Sequence, residues 1–272
     1  MIGLLNSARS VIRRLHLQRL VSPLVSWFEE RRIAKLGSYE VKVLSSSELE
    51  ISGFGKKAVL SGLTFNMHEL AQSPHEKPTM TVVMSRLSPG DVAWDVGANV
   101  GLYSRLMAEV VGTQGRVFAF EPSPGTFEQL KCGLADQVTP LQVALSDVDG
   151  TAMFATPADH SSASRIVSES TAVESDLARV PTVRGDSLLS KEGMKQPAFL
   201  KIDVEGHEWS VVQGMMSVIS SPNCRCVLIE VHFSLLEKNG QKNAPVHIAE
   251  TLSACGLTRQ QWIGRSHLLA ER

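Results

Sequence analysis

Asp91-Val92-Ala93-Trp94-Asp95-Val96-Gly97-Ala98-Asn99-Val100-Gly101-Leu102-Tyr103 is the stretch that decides the fold. Pro89-Gly90 ends what precedes it, a short apolar run carries Asp95 near its tip, and a loop of small residues leads into a helical pattern. That order reads as a buried parallel strand, a tight turn and a helix N-terminus. Gly97 and Gly101 let the backbone turn sharply and let a ligand approach without a Cβ in the way. Asn99 is the non-glycine type best suited to a left-handed position. N–H groups at the helix start can face a polar ligand, while Asp95 can accept from a cationic or hydroxyl donor on it. A dinucleotide loop needs Gly-x-Gly-x-x-Gly under a pyrophosphate. Here the spacing is Gly-x-Asn-x-Gly, and an acid stands where a pyrophosphate would be repelled. An ordinary strand-to-helix turn is the alternative for this loop taken alone.

Downstream the pattern is regular. Residues 91–96 give a strand, 102–110 a helix, 116–120 a strand, 124–135 a helix and 138–144 a third strand ending in Leu145-Ser146-Asp147. Strand alternating with helix predicts a doubly wound, mainly parallel α/β sheet, whose ligands sit beyond the carboxyl ends of the strands. Asp95, Glu121 and Ala144–Asp147 all fall at such ends. Glu121 comes at the end of the strand after Asp95, where an acid can take both hydroxyls of a ribose. Pro122 stiffens the turn behind it, and Ser123 before Pro124 is the better helix cap.

Asp149-Gly150 is a hairpin signal, with strands expected at 151–155 and 180–184. Between them the small, polar Asp159–Ser164 segment suits a mobile loop or substrate lid, and His160 is a minor catalytic candidate.

Ala198-Phe199-Leu200-Lys201-Ile202-Asp203-Val204-Glu205-Gly206-His207-Glu208 is a second buried strand leading into a helix over 207–219. Cys226–Phe233 is the strand after that, carrying Glu230 and His232 on one face near its end. Right-handed crossovers make these two strands neighbours on the far side of the first. Asp203, Glu205, His207, Glu230 and His232 then crowd one end of the sheet, and ionisable groups at so buried a place are candidates for function. A helix over 244–255, Gly256 as its stop and strand-like pieces at 257–263 and 267–270 complete the chain.

The 272 residues suffice for one large domain behind an N-terminal extension, divided as 1–70 and 71–272. A net charge of −1, mixed along the chain, gives no basic field for nucleic acid. The four cysteines include no Cys-x-x-Cys pair, so free thiols in a reducing, cytoplasmic setting are expected. No apolar run is long enough to span a bilayer. Residues 1–36 look helical, with Leu5, Ala8, Ile12 and Leu15 on one face and no acid before Glu29. Arginines interrupt each apolar core, which disfavours a secretory signal. Two readings stay open: a helix packed on the domain, or a basic amphipathic helix on an anionic membrane surface. Residues 39–68 predict a small antiparallel meander or hairpin. His75-Glu76-Lys77-Pro78 opens a helix just ahead of the first strand, so His75 and Glu76 border the expected site or simply lie at a solvated helix start.

Assembled, these residues resemble the FkbM family of S-adenosylmethionine (SAM)-dependent methyltransferases. The match runs through Asp95–Gly101, Ala119-Phe120-Glu121-Pro122, Ala144-Leu145-Ser146-Asp147, Lys201–Gly206 with Glu208, and Glu230-Val231-His232, in order and spacing, from about residue 75 to 235. The resemblance implies a class I fold and methyl transfer, typically to oxygen on a sugar, polyketide or other small-molecule or glycan acceptor. It implies SAM held by Asp95, Gly97, Ala98, Asn99, Gly101 and Tyr103 around its methionine part, by Glu121 and Pro122 at the ribose, and by the Ala144–Ser146 backbone near adenine.

Methyl transfer to a hydroxyl needs the acceptor oxygen placed, water excluded and a proton removed. His207 or His232 is the expected base, because neutral imidazole suits proton removal near pH 7, with Asp203 or Glu205 orienting it or the acceptor. A metal-assisted version would place Mg²⁺ on Asp203, Glu230 and His232; a structural network of satisfied carboxylates competes with it. A SAM- or nucleoside-binding module without catalysis is the alternative of another class. A nicotinamide oxidoreductase fits less well, for want of the dinucleotide loop.

Overall fold

The computed structural model describes Ile33 and residues 36–63, 66–157, 165–167 and 175–272. The basic N-terminal segment, Thr64-Phe65 and the polar loop with His160 lie outside the described residues.

Three antiparallel strands come first: β1 (Tyr39–Ser45), β2 (Glu48–Gly53) and β3 (Lys56–Ser61). Phe54 and Gly55 join the last two at φ +55° and +73°, the left-handed pair that a two-residue hairpin turn requires. Helices α1 (Met67–Gln72) and α2 (Lys77–Arg86) lead to β4 (Val92–Val96), α3 (Leu102–Val111), β5 (Arg116–Phe120), α4 (Pro124–Lys131) and β6 (Val138–Leu141). Next come β7 (Ala144–Leu145), β8 (Gly150–Pro157), β9 (Arg165–Val167), β10 (Ser175–Val183) and α5 (Gly185–Leu188). The chain ends with β11 (Phe199–Ile202), α6 (Glu208–Gln213), α7 (Met216–Ser220), β12 (Cys226–Glu230), α8 (Phe233–Lys238), α9 (Ala244–Ala254), β13 (Arg259–Ile263) and β14 (His267–Glu271).

The main sheet has seven strands in the order β13-β14-β12-β11-β4-β5-β6. From β12 to β6 all neighbours run parallel; β14 is antiparallel to both of its own. The chain leaves β4 first towards β5 and β6, then returns to build β11 and β12 on its other side. That reversal creates a crevice beyond the tips of β4 and β11. This is the doubly wound, mainly parallel α/β sheet with an antiparallel strand near its C-terminal end, as expected.

Alternation along each strand divides the core. Ala93, Val117, Ala119, Phe199 and Leu228 face α2, α3 and the meander, whose Leu49, Ile51, Ala58 and Leu60 join the same apolar cluster. Trp94, Phe118, Phe120, Leu200 and Ile229 face α6, α7 and α9. Strands covered on both faces read as near-continuous apolar runs, which is why residues 91–96, 116–120 and 198–202 stood out despite Asp95 and Lys201 within them.

Five local expectations change, one being that the strand from Cys226 stops at Glu230, so that His232 lies beyond it and Phe233 begins α8. The third strand breaks after Leu141: Ala144–Leu145 turns away to pair with β10 in a separate four-stranded sheet. Asp149-Gly150 makes no two-residue turn; Asp149 instead accepts from the Arg184 N–H (2.6 Å) and the Ser187 hydroxyl (2.8 Å). The helix after His207 divides at Gly214, whose carbonyl accepts from the Asp186 N–H (3.0 Å) while the Asp186 carboxylate accepts from the Ser217 and Val218 N–H groups (2.9 and 3.0 Å). A Cβ on Gly214 would stand 1.8 Å from the Ser146 carbonyl oxygen. α4 stops at Lys131, short of residue 135. Among the described residues no helix is long and apolar enough to cross a membrane.

Candidate active site

The β4–α3 loop is shaped by its neighbours. Gly97 and Ala98 donate their N–H groups to the Phe120 carbonyl (3.0 and 2.9 Å), tying the loop to the tip of β5. Gly97 has φ +76°, and a Cβ on it would lie 1.8 Å from the Asp203 carbonyl oxygen, so only glycine fits between β4 and β11. Asn99 takes the left-handed conformation, φ +52°, as its residue type predicted. Its N–H donates to Glu121 Oε2 (2.9 Å), while Glu121 Oε1 accepts from the Ser123 N–H (2.9 Å). Glu121 is thus the clamp between loop and sheet, and it also lines the cavity. Burial pushes its carboxyl up to about 7, against the pull of the two N–H donors.

Asp95 occupies a different place from the one expected. It is wholly buried and does not line the cavity. Oδ2 accepts from the Ser104 hydroxyl (2.7 Å), and Oδ1 lies 3.2 Å from Lys201 Nζ. The parallel register of β4 and β11 sets Asp95 directly beside Lys201, on the α3 face of the sheet. Burial alone would lower the lysine's pKa, but Asp95 and Asp203 outweigh it and hold the ammonium above its ordinary value. Lys201, rather than Asp95, reaches the cavity. It also lies 5.1 Å from the centroid of the Tyr103 ring.

The cavity encloses about 810 Å³, in the range of small-molecule sites. One end is formed by Gly97, Ala98, Asn99, Glu121, Pro122, Ala144 and Leu145, with apolar Phe154, Ile166 and Leu177 from the small sheet as a wall. At the other end stand Asp203, Glu205, Glu230, His232, His75 and Glu76. His232 Nδ1 lies 2.7 Å from Oε1 of Glu208, a carboxylate with no exposed surface, and Nε2 lies 3.3 Å from Glu205 and 3.8 Å from Asp203. Burial would lower the His232 pKa, yet the bond to Glu208 and the three carboxylate charges raise it to about 9. Burial and the neighbouring acids raise the Glu205 carboxyl, His232 opposing them. Glu230 turns elsewhere, to His267 (3.3 Å) and Ser266 (3.1 Å), with exposed His75 at 3.6 Å. Glu76 accepts a hydrogen bond from the Tyr103 hydroxyl.

His207 sits apart from His232. Its Nε2 is 2.9 Å from the hydroxyl of Ser146, and burial lowers its pKa despite Asp147 and Glu208, so it is a neutral imidazole. Of the expected cofactor residues, Asp95, Gly101 and Ser146 lie behind the cavity wall and the rest line it. Gly101 caps α3 at φ +87°, where Arg105 and Leu130 fill the space a Cβ would need. The four expected catalytic residues all line it, but the expected metal set changes: Glu205, not Glu230, joins Asp203 and His232. Lys201, Ser104, Glu208 and His267 received no role from the sequence. A lysine inside the buried run Phe199–Ile202 was a usable sign, because its charge demands a partner.

A family model described as the methyltransferase FkbM domain matches residues 95–257. Hexuronic acid methyltransferase AglP of Haloferax volcanii is 28% identical across 71% of this chain and 77% of that protein. The 31-O-demethyl-FK506 methyltransferase FkbM of Streptomyces tacrolimicus is 30% identical, across 54% of this chain and 67% of that protein. The crystal structure of methyltransferase FkbM from Methylobacillus flagellatus KT is 14% identical with a TM-score of 0.45. That likeness covers 74% of this chain and 55% of the other, so the chain spans little more than half of that protein's length. The family match extends over more than half of the sequence: the chain belongs to the FkbM family of methyltransferases.

Proposed function

We propose that the chain transfers the methyl group of SAM to a hydroxyl oxygen of a sugar, glycan or other secondary-metabolite acceptor. The observation that carries this reading is a single cavity joining the glycine loop and Glu121 at one end to Asp203, Glu205 and His232 at the other. SAM supplies an activated methyl on a sulfonium, and the residues fit it. Gly97 leaves room for close backbone approach, Glu121 keeps lone pairs for ribose hydroxyls, and the Ala144–Leu145 segment with the apolar wall suits a flat base. Lys201, held protonated by Asp95, would meet the carboxylate of the methionine part. Family membership and the relatives' names support the reading: one names a hexuronic acid as acceptor, the other an oxygen position.

The acceptor's proton needs a destination. Lys201 carries its own proton, and burial with the Glu76 charge raises the Tyr103 hydroxyl, so neither serves as base. His232 at a pKa of about 9 is already protonated at neutral pH, contrary to the neutral base expected of it. His207 is neutral but bonded to Ser146, which suits holding the adenine-side segment. The Asp203 and Glu205 carboxylates remain as proton acceptors, with His232 holding them in place. A non-catalytic binding module has no use for so many charges at a buried mouth, whose upkeep costs desolvation energy. The test is transfer of labelled methyl from SAM into small-molecule and glycan fractions of a cell lysate. Label in an alkali-stable ether product supports the reading; tight SAM binding with no labelled product in any fraction would leave the binding module.

A further inference from the structure

We propose that Asp203, Glu205 and His232 form a divalent-cation site at the acceptor end of the cavity, taking Mg²⁺ or Mn²⁺ on two carboxylate oxygens and one imidazole nitrogen. This deepens the reading of that end as the place of the acceptor and rests on it. The three ligand atoms lie within 4.8 Å of one another. Octahedral coordination at about 2.1 Å sets neighbouring ligands about 3 Å apart, and His232 Nε2 already lies 3.3 Å from Glu205 and 3.8 Å from Asp203, so the two carboxylates need to close on the imidazole by less than about 1 Å.

The surrounding charges call for such an ion. Asp95, Asp203, Glu205 and Glu208 stand against Lys201 and His232, four carboxylates to two cations. Lys201 is shared between Asp95 and Asp203, at 3.2 and 3.5 Å, and His232 among three acids. Asp203 spends Oδ2 on the lysine and leaves Oδ1 towards His232.

Glu208 is the second, independent observation. It has no exposed surface, its Oε2 has no hydrogen-bond partner, and its Oε1 is 2.7 Å from His232 Nδ1. The Gly206 N–H also donates to that Oε1 (2.9 Å), fixing the carboxylate behind the ring. A carboxylate so placed accepts a hydrogen bond from Nδ1–H, so that Nε2 presents its lone pair outward once an ion displaces its proton, which is how metal-bound histidines are oriented. Glu230 stands aside, engaged with His267 and Ser266. An ion there would displace the Nε2 proton of His232 and take the acceptor hydroxyl as a further ligand, lowering its pKa while the second oxygen of Glu205 stays free to accept the proton.

The experiment is calorimetric titration of chelator-stripped full-length protein with MnCl₂, alongside a separate titration with SAM. A single Mn²⁺ site is expected in the wild type and in E230Q, with binding weakened about 10–100-fold in E208Q and at least as much in D203N and H232Q. Circular dichroism checks that each variant is folded. No Mn²⁺ binding by the wild type at millimolar concentration would overturn the site, as would undiminished binding by folded D203N or loss of binding in E230Q. SAM binding without Mn²⁺ binding removes the cation alone, whereas failure to bind SAM removes the methyl-transfer reading itself.

Discussion

Asp95 and Lys201 stand side by side on neighbouring parallel strands, Oδ1 3.2 Å from Nζ, with 0% and 5% of their side chains exposed. The pair explains how a carboxylate in the loop motif acts without touching the cavity: it holds a cation that does. Breaking one partner leaves the other charge buried and unmatched. Asp95→Asn is therefore expected to lower unfolding free energy by about 3–5 kcal/mol, and Asp95→Asn with Lys201→Met by less than Asp95→Asn alone. Urea denaturation of the two variants measures this; equal losses would show that the pair does not bear on stability.

Gly97 is strained for any other residue by its φ of +76° and by the Asp203 carbonyl oxygen 1.8 Å from a built Cβ. Gly97→Ala must push β4 and β11 apart at their tips. A loss of about 2–4 kcal/mol in stability and at least about tenfold in SAM affinity is expected. Gly112→Ala, strained at φ +64° but with open space around it and far from the cavity, is expected to cost stability alone.

Glu121 sets a pH dependence. Its folded pKa of about 7 lies above the ordinary 4.5, so the folded chain holds a proton there that the unfolded chain releases. The stability this contributes is complete below about pH 4.5 and is lost as pH rises through 7. The wild type should lose ground against Glu121→Gln between pH 5 and pH 8 in urea midpoints. A constant difference across that range would contradict the buried acid.

The thiols offer a check on packing. Cys132 is exposed, whereas Cys224, Cys226 and Cys255 are buried, and burial pushes the Cys224 thiol up to about 12 and the Cys226 thiol higher still. A thiol reagent at pH 8 should modify Cys132 rapidly and the other three only on unfolding. Rapid modification of Cys224 or Cys226 in the folded chain would place them elsewhere.

Much of this was legible in the sequence where local chemistry and topology agree. Gly97 and Asn99 announced a left-handed loop, and the apolar runs around Trp94, Phe118 and Leu200 announced strands buried on both faces. The break after Leu141 was not legible, since Val143 and Ala144 continue the apolar pattern while the chain changes sheets. Asp95 was misplaced because its face is set by register against Lys201, a partner far along the chain. His267 was missed for the same reason: only its antiparallel pairing opposite Glu230 brings it to the cavity rim. His207 and His232 stand five and two residues past the ends of β11 and β12, yet their pKa directions are opposite, because burial prevails at His207 whereas the bond to Glu208 and the neighbouring carboxylates prevail at His232.

The most direct test of the central claim is calorimetric titration of the purified chain with SAM and with its demethylated product. One site per chain is predicted, with affinity from micromolar to submillimolar and weakened in Glu121→Ala. If neither compound binds the folded wild-type chain, or if Glu121→Ala binds both as tightly as the wild type, the cavity is not the methyl donor's site.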